Sequence, residues 1–223
     1  MLDFAQARRM MVDGQVRTSD VTDPAIITAM LEIPRERFAP DGKAALAYLD
    51  LDLPLTDARP GVASRCLLKP MVLAKLVQAA DVREGDRALV VGCGTGYSAA
   101  LLARLGASVV GLEDNDSLAR IARATLSGLG IAEVAVETGP LAGGFAKGGP
   151  YAVILIEGSI EDIPSTLREQ LSERGRLVCV QQSGPVGKAM LYYRTADAFS
   201  GRPIFDASAT ALPGFAKPRA FVF

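Results

Sequence analysis

Apolar and polar positions follow two regimes along the chain. Beyond residue 86, short apolar runs alternate with stretches whose apolar residues recur at helical spacing. Ala88-Leu89-Val90-Val91, Ser108–Leu112, Glu133–Glu137, Tyr151–Ile156 and Arg176–Val180 predict five strands. The β-branched runs stopped by glycine read as strands buried on both faces, as in a parallel sheet. Between them the spacing predicts helices over 97–105, closed by Gly106, over 116–128 and over 163–172. The second carries Leu118, Ile121, Ala122 and Leu126 on one face, with Asn115 or Asp116 as its cap. The third uses Ile163, Leu167 and Leu171, and Gly175 makes the turn into the fifth strand. Glu157-Gly158-Ser159 follows at the exposed carboxyl end of the fourth strand. Ala189–Tyr193 and Ala220–Phe223 read as antiparallel strands.

Up to residue 80 the pattern is helical or irregular. Residues 4–17 read as a helix and Asp20–Asp23 as a polar break. Asp23-Pro24 starts a second helix with an apolar stripe of Ile26, Ile27, Met30 and Leu31, ended by Ile33-Pro34. Residues 39–63 are the least regular, and Pro70 opens a helix through Met71, Val72, Leu73, Leu76 and Val77. The alternation predicts one α/β, Rossmann-like domain over 1–223 with a mostly parallel sheet. Residues 1–80 form an N-terminal helical extension and substrate-side loop, 81–183 a ligand-binding core and 184–223 the antiparallel end.

The first strand stops on Gly92-Cys93-Gly94-Thr95-Gly96-Tyr97. A strand, a glycine turn and a helix start put main-chain N–H groups and bare backbone against a bound ligand. The dinucleotide pattern G-x-G-x-x-G/A needs a small sixth residue, where this chain has Tyr97, and no Gly-Lys-Ser/Thr of a phosphate loop follows. Glu113 ends the second strand about 20 residues on, where a carboxylate accepts from ribose hydroxyls.

Composition narrows the chemistry. The chain has 223 residues, 49% of them hydrophobic, and a formal charge of −1, which gives no case for nucleic acid or an anionic membrane. No apolar run is long enough to span a bilayer, the N-terminus lacks a leader pattern, and three scattered cysteines make no disulfide framework or zinc cluster; the expected address is cytoplasmic. With no histidine, imidazole-based nucleophile systems are excluded. A carboxylate acceptor needs no such base, being ionised and nucleophilic at neutral pH.

The G-x-G-x-G loop with its acidic partner resembles class I S-adenosylmethionine-dependent methyltransferases. Four segments together resemble the protein-L-isoaspartate O-methyltransferase family: Thr28-Ala29-Met30-Leu31-Glu32-Ile33-Pro34-Arg35-Glu36-Arg37-Phe38-Ala39-Pro40, Ala47-Tyr48 with Leu53-Pro54-Leu55, Pro70-Met71-Val72-Leu73-Ala74, and Gly92–Tyr97 with Ser98-Ala99-Ala100. The resemblance implies S-adenosylmethionine held by Gly92, Cys93, Gly94, Thr95, Gly96, Tyr97, Glu113, Asp114, Gly139 and Leu141. It implies a protein or peptide carboxylate as acceptor, with Arg65, Leu68 and Lys69 on the substrate side, no metal, and a monomer or weak homodimer.

The chain also departs from the family. The substrate-side serine of the family's T-I-S-x-P motif falls on Leu68, with Ser64 the alternative after a local shift. Gly139-Pro140-Leu141 replaces a G-D-G, and Glu157-Gly158 replaces small apolar residues. The expected activity is carboxyl methylation of the isoaspartyl repair type, with altered specificity. The alternatives are a protein that binds S-adenosylmethionine without isoaspartyl activity, and a methyltransferase for another acceptor.

Overall fold

The computed structural model describes residues 3–59, 63–182, 184 and 186–217. Helix α1 (Phe4–Met11) starts on Asp3, whose side chain accepts from the Gln6 N–H, and runs on through a wider turn, Val12–Val16, and a tight one, Arg17–Ser19. Helix α2 (Pro24–Glu32) is capped as its sequence predicts, the Asp23 side chain accepting from the Ala25 N–H at 2.8 Å. Within the irregular segment and just after it, β1 (Leu53–Pro54) and β2 (Cys66–Leu67) pair antiparallel, and α3 (Pro70–Ala80) follows.

The core then alternates: β3 (Arg87–Val91), α4 (Tyr97–Arg104), β4 (Ser108–Glu113), α5 (Asp116–Gly128), β5 (Val134–Thr138), β6 (Tyr151–Ile160), α6 (Ser165–Glu169), β7 (Leu171–Gln181), β8 (Lys188–Arg194) and β9 (Phe199–Asp206). The sheet order is β5-β4-β3-β6-β7-β8-β9, parallel from β5 to β7, with β8 and β9 added through antiparallel pairings. The chain goes from β3 outward to β5 and returns on the other side of β3 as β6. The carboxyl ends of β3 and β6 therefore flank a topological switch point, where open α/β sheets bind ligands.

Alternate strand residues serve opposite faces, as strand geometry requires. Ala88, Val90, Val153, Leu155, Val178 and Val180 join the side chains of α1 to α5 in one large core. Leu89, Val91, Ile154, Ile156, Leu177 and Cys179 meet Ile163, Leu167, Leu171, Leu212 and Phe215 on the thinner second face. The N-terminal helices thus share one core with the central strands. Among the described residues, no helix is long and apolar enough to cross a membrane.

Several expectations are corrected. Ile121 is 46% exposed: Leu118, Ala119, Ala122 and Leu126 form the buried face of α5, and Asn115, not Asp116, caps it by accepting from the Ser117 and Leu118 N–H groups. The helix expected over 163–172 is only α6. Leu171 already pairs with Tyr151 in the sheet, and its burial beside Ile163 and Leu167 produces the apparent helical spacing. The left-handed residue of the following turn is Arg174 rather than Gly175. Gly175 is needed because a Cβ there would lie 2.8 Å from the Ser172 carbonyl oxygen. Strand β6 runs on to Ile160, which buries Glu157 and Ser159 instead of exposing them. Strand β9 was not anticipated, since Gly201 and Pro203 interrupt its pattern and it lies at the sheet edge. The strand expected over 220–223 lies outside the described residues.

Candidate functional site

The loop after β3 has the shape its glycines predict. Gly92, Gly94 and Gly96 all have positive φ, and Gly92 and Cys93 both donate their N–H to the Leu112 carbonyl at the tip of β4. The three glycines do different work. A Cβ on Gly92 would lie 2.8 Å from Arg65 Nη2 and 3.3 Å from Leu212, and one on Gly94 would lie 2.8 Å from Leu55 Cδ1. Those neighbours are the ends of flexible side chains. A Cβ on Gly96 would instead meet Leu126 at 3.2 Å and Ala122 at 3.5 Å, so this glycine lets α5 pack against the loop.

The side chains between the glycines face inward. Cys93 Sγ would be only 3.0 Å from a Cβ on Gly111, and burial pushes its thiol well up. The Thr95 hydroxyl donates to the Phe38 carbonyl at 2.6 Å. Tyr97 is fully buried, with its ring edge-on to Phe38 at 5.4 Å and the Arg35 guanidinium 4.8 Å over its face. Arg35, also buried, donates to the carbonyls of Ala47 at 2.7 Å and Leu68 at 2.6 Å. The Pro-Arg-Glu-Arg-Phe element thereby braces the glycine loop from behind. Sequence reasoning found that element as a motif and missed this task.

Glu113, at 0% exposure, is the anionic centre of the site. Arg65 grips it with two bonds, Nη1 to Oε1 at 2.9 Å and Nη2 to Oε2 at 3.0 Å, and Nη1 also donates to Asp114 at 2.8 Å. The Gly94 N–H donates to Oε2 at 2.7 Å, and the N–H groups of Asp114 and Asn115 donate to Oε1 at 3.1 Å each. Burial pushes the Glu113 carboxyl up, while the guanidinium and the Gly94 and Asn115 N–H groups oppose this by holding its charged form. Arg65 and Asp114 also line a cavity of about 510 Å³ with Thr56, Asp57, Arg59 and Asn115.

A second buried carboxylate, Glu157, lies at the switch point, where β6 pairs with β3 through Val91 and Ile156. It accepts from the Ser98 hydroxyl of α4, is 3% exposed, and burial pushes it up to about 7. With Leu68, Ser64 and Leu212 it lines a narrow crevice. The Leu68 side chain is 1% exposed and belongs to the apolar core, so its contribution is its carbonyl to Arg35. Ser64 donates its hydroxyl to the Thr56 and Arg65 carbonyls within its own loop. Lys69 gives its N–H to Asp52 at 2.8 Å and lines neither the crevice nor the larger cavity. Gly139 donates to the Glu113 carbonyl at 3.0 Å, while Leu141 is buried in the second core and offers a ligand no side-chain surface.

These residues fit S-adenosylmethionine. Bare main chain at Gly92 and Gly94, covered only by movable side-chain ends, adjoins a carboxylate at the tip of the neighbouring strand. The side chains of Cys93, Thr95 and Tyr97 point inward and, with Gly96 against α5, hold that loop in shape.

A family model described as protein-L-isoaspartate(D-aspartate) O-methyltransferase matches residues 6–200. A protein-L-isoaspartate O-methyltransferase of Methylorubrum extorquens is 38% identical over 202 residues, covering 90% of this chain and 85% of its own. A solved structure of that name, at 25% identity, superposes with a TM-score of 0.81 over 95% of this chain and 66% of its own. A Plasmodium falciparum structure described as a complex with S-adenosyl-L-homocysteine shares the fold, with a TM-score of 0.75, 15% identity and coverage of 94% and 97%.

Proposed function

The chain belongs to the protein-L-isoaspartate(D-aspartate) O-methyltransferase family, and from that premise we propose that it methylates carboxylates of proteins or peptides, isoaspartyl groups first among them. When bound, S-adenosylmethionine supplies a methyl group on a sulfonium, open to displacement by a nucleophile. An ionised carboxylate is such a nucleophile at neutral pH, so the protein's task is binding and alignment, which suits a chain without histidine. Gly92 and Gly94 would let the cofactor approach the main chain, and Glu113, with Asp114 beside it, would take the ribose hydroxyls. In this reading residues 1–80 supply the substrate side, 81–183 the cofactor site and 184–223 the sheet end. The protein acts in the cytoplasm as a monomer or weak homodimer, apart from nucleic acid and membranes.

The observation that carries the reading is the pairing of the Gly92–Gly94 backbone with the Glu113 carboxylate at the carboxyl ends of adjacent parallel strands. Leu68, apolar and buried at the family's serine position, favours a second reading, a protein that binds S-adenosylmethionine without isoaspartyl activity. Labelled-methyl incorporation into an isoaspartyl peptide beside its aspartyl twin separates the two. We expect a base-labile ester on the isoaspartyl peptide alone. Tight binding of S-adenosylhomocysteine with neither peptide labelled would establish the second reading.

A further inference from the structure

Glu113 has no acceptor capacity left. A carboxylate offers about four lone-pair positions, and five N–H groups already point at this one: two from Arg65 and one each from Gly94, Asp114 and Asn115. The three main-chain donors are built into the loops at the strand tips, so only the guanidinium can give way to a ribose diol. Arg65 also lies on the bare backbone at Gly92, where its Nη2 is 2.8 Å from the position of an added Cβ. Cofactor and guanidinium thus exclude each other both by hydrogen bonding and by volume.

A displaced guanidinium needs another anion, because a cation buried without a partner is strongly unfavourable. Asp114, 31% exposed at the rim, stays within reach, and the cavity of about 510 Å³ that Arg65 lines lies beside it. The planar fork of arginine pairs bidentately with carboxylates. Arg59 and Asp57 line the same cavity with opposite charges, so the arginine fork rather than net charge is what selects a carboxylate there.

We propose that Arg65 serves both binding events in turn: it occupies Glu113 in the empty protein and, once the cofactor ribose takes those oxygens, receives the acceptor carboxylate. The cofactor therefore binds first and creates the acceptor site. This assigns to Arg65 the recognition that Leu68 cannot provide, and it rests on the carboxylate acceptor of the preceding section.

Titration calorimetry with S-adenosylhomocysteine and an isoaspartyl hexapeptide, each alone and together, tests this without turnover. In the wild type we expect the peptide to bind at least about 10-fold more tightly when S-adenosylhomocysteine is present, a typical coupling between two sites. In Arg65→Gln the coupling should fall below about 2-fold and peptide affinity should drop. S-adenosylhomocysteine should bind that variant about 10-fold more tightly, having no guanidinium to displace. Arg65→Lys, which keeps the charge and loses the fork, should fall between the two, and its fold is checked by its melting curve. Equal peptide affinity with and without S-adenosylhomocysteine, no peptide binding in either state, or an unchanged or weaker S-adenosylhomocysteine affinity in folded Arg65→Gln would each overturn the proposal while leaving cofactor binding in place. If S-adenosylhomocysteine fails to bind the wild type, the functional reading itself falls.

Discussion

Glu157 makes stability depend on pH in a direction opposite to that of a salt-bridged acid. Its carboxyl titrates near 4.5 in an unfolded chain and is pushed up to about 7 in the fold by burial. Between those values the folded state holds a proton that the unfolded state has released, so the unfolding free energy falls as pH rises through the window and levels off above it. The effect is about 3 kcal/mol at full extent. Glu157→Gln keeps an acceptor for the Ser98 hydroxyl and has no charge to desolvate. It should therefore unfold at a higher urea concentration than the wild type at pH 8, with the gap closing toward pH 4.5, as denaturation curves at several pH values will record. The sequence marks Glu157 as out of place beside the family pattern. Its burial follows only from the extension of β6 to Ile160. Glu113 was legible because a strand tip fixes where it lies, whereas its partner Arg65 is 48 residues away and no local pattern links them.

The strand–loop–helix unit divides its labour between two glycines, and substitution should separate the parts. Both have positive φ, which costs an alanine roughly 1–2 kcal/mol. At Gly96 the added methyl also meets Leu126 and Ala122 of α5, while at Gly94 it meets only the end of Leu55. Gly96→Ala should therefore lower the melting temperature more than Gly94→Ala, and Gly94→Ala should weaken S-adenosylhomocysteine binding more, as melting curves and calorimetry on the pair will show. Parallel strands such as β3 and β6 were legible because burial on both faces leaves an unbroken apolar run. Strand β9 was not, because an edge strand tolerates Gly201 and Pro203 and has half-exposed partners. Helix α6 was overextended because spacing reports burial: Ile163, Leu167 and Leu171 do share one core, from a helix approach, a short helix and a strand in turn.

Across the whole molecule, one guanidinium joins parts that the sequence presents as separate. Within the N-terminal extension Arg35 holds Ala47 and Leu68 before α3, and it ties that extension to Tyr97 at the base of the cofactor loop. Arg35→Ala would strand two buried carbonyls and uncover the Tyr97 ring. It should cost about 3 kcal/mol or more and weaken S-adenosylhomocysteine binding as well, which urea unfolding and calorimetry on the variant will measure. The same contact sets an order on the making of the protein. A ribosome delivers Arg35 before any of its three partners, and Tyr97 leaves the exit tunnel last. Until the glycine loop emerges, Arg35 can reach only the Ala47 and Leu68 carbonyls of its own segment, and its guanidinium face stays without the Tyr97 ring.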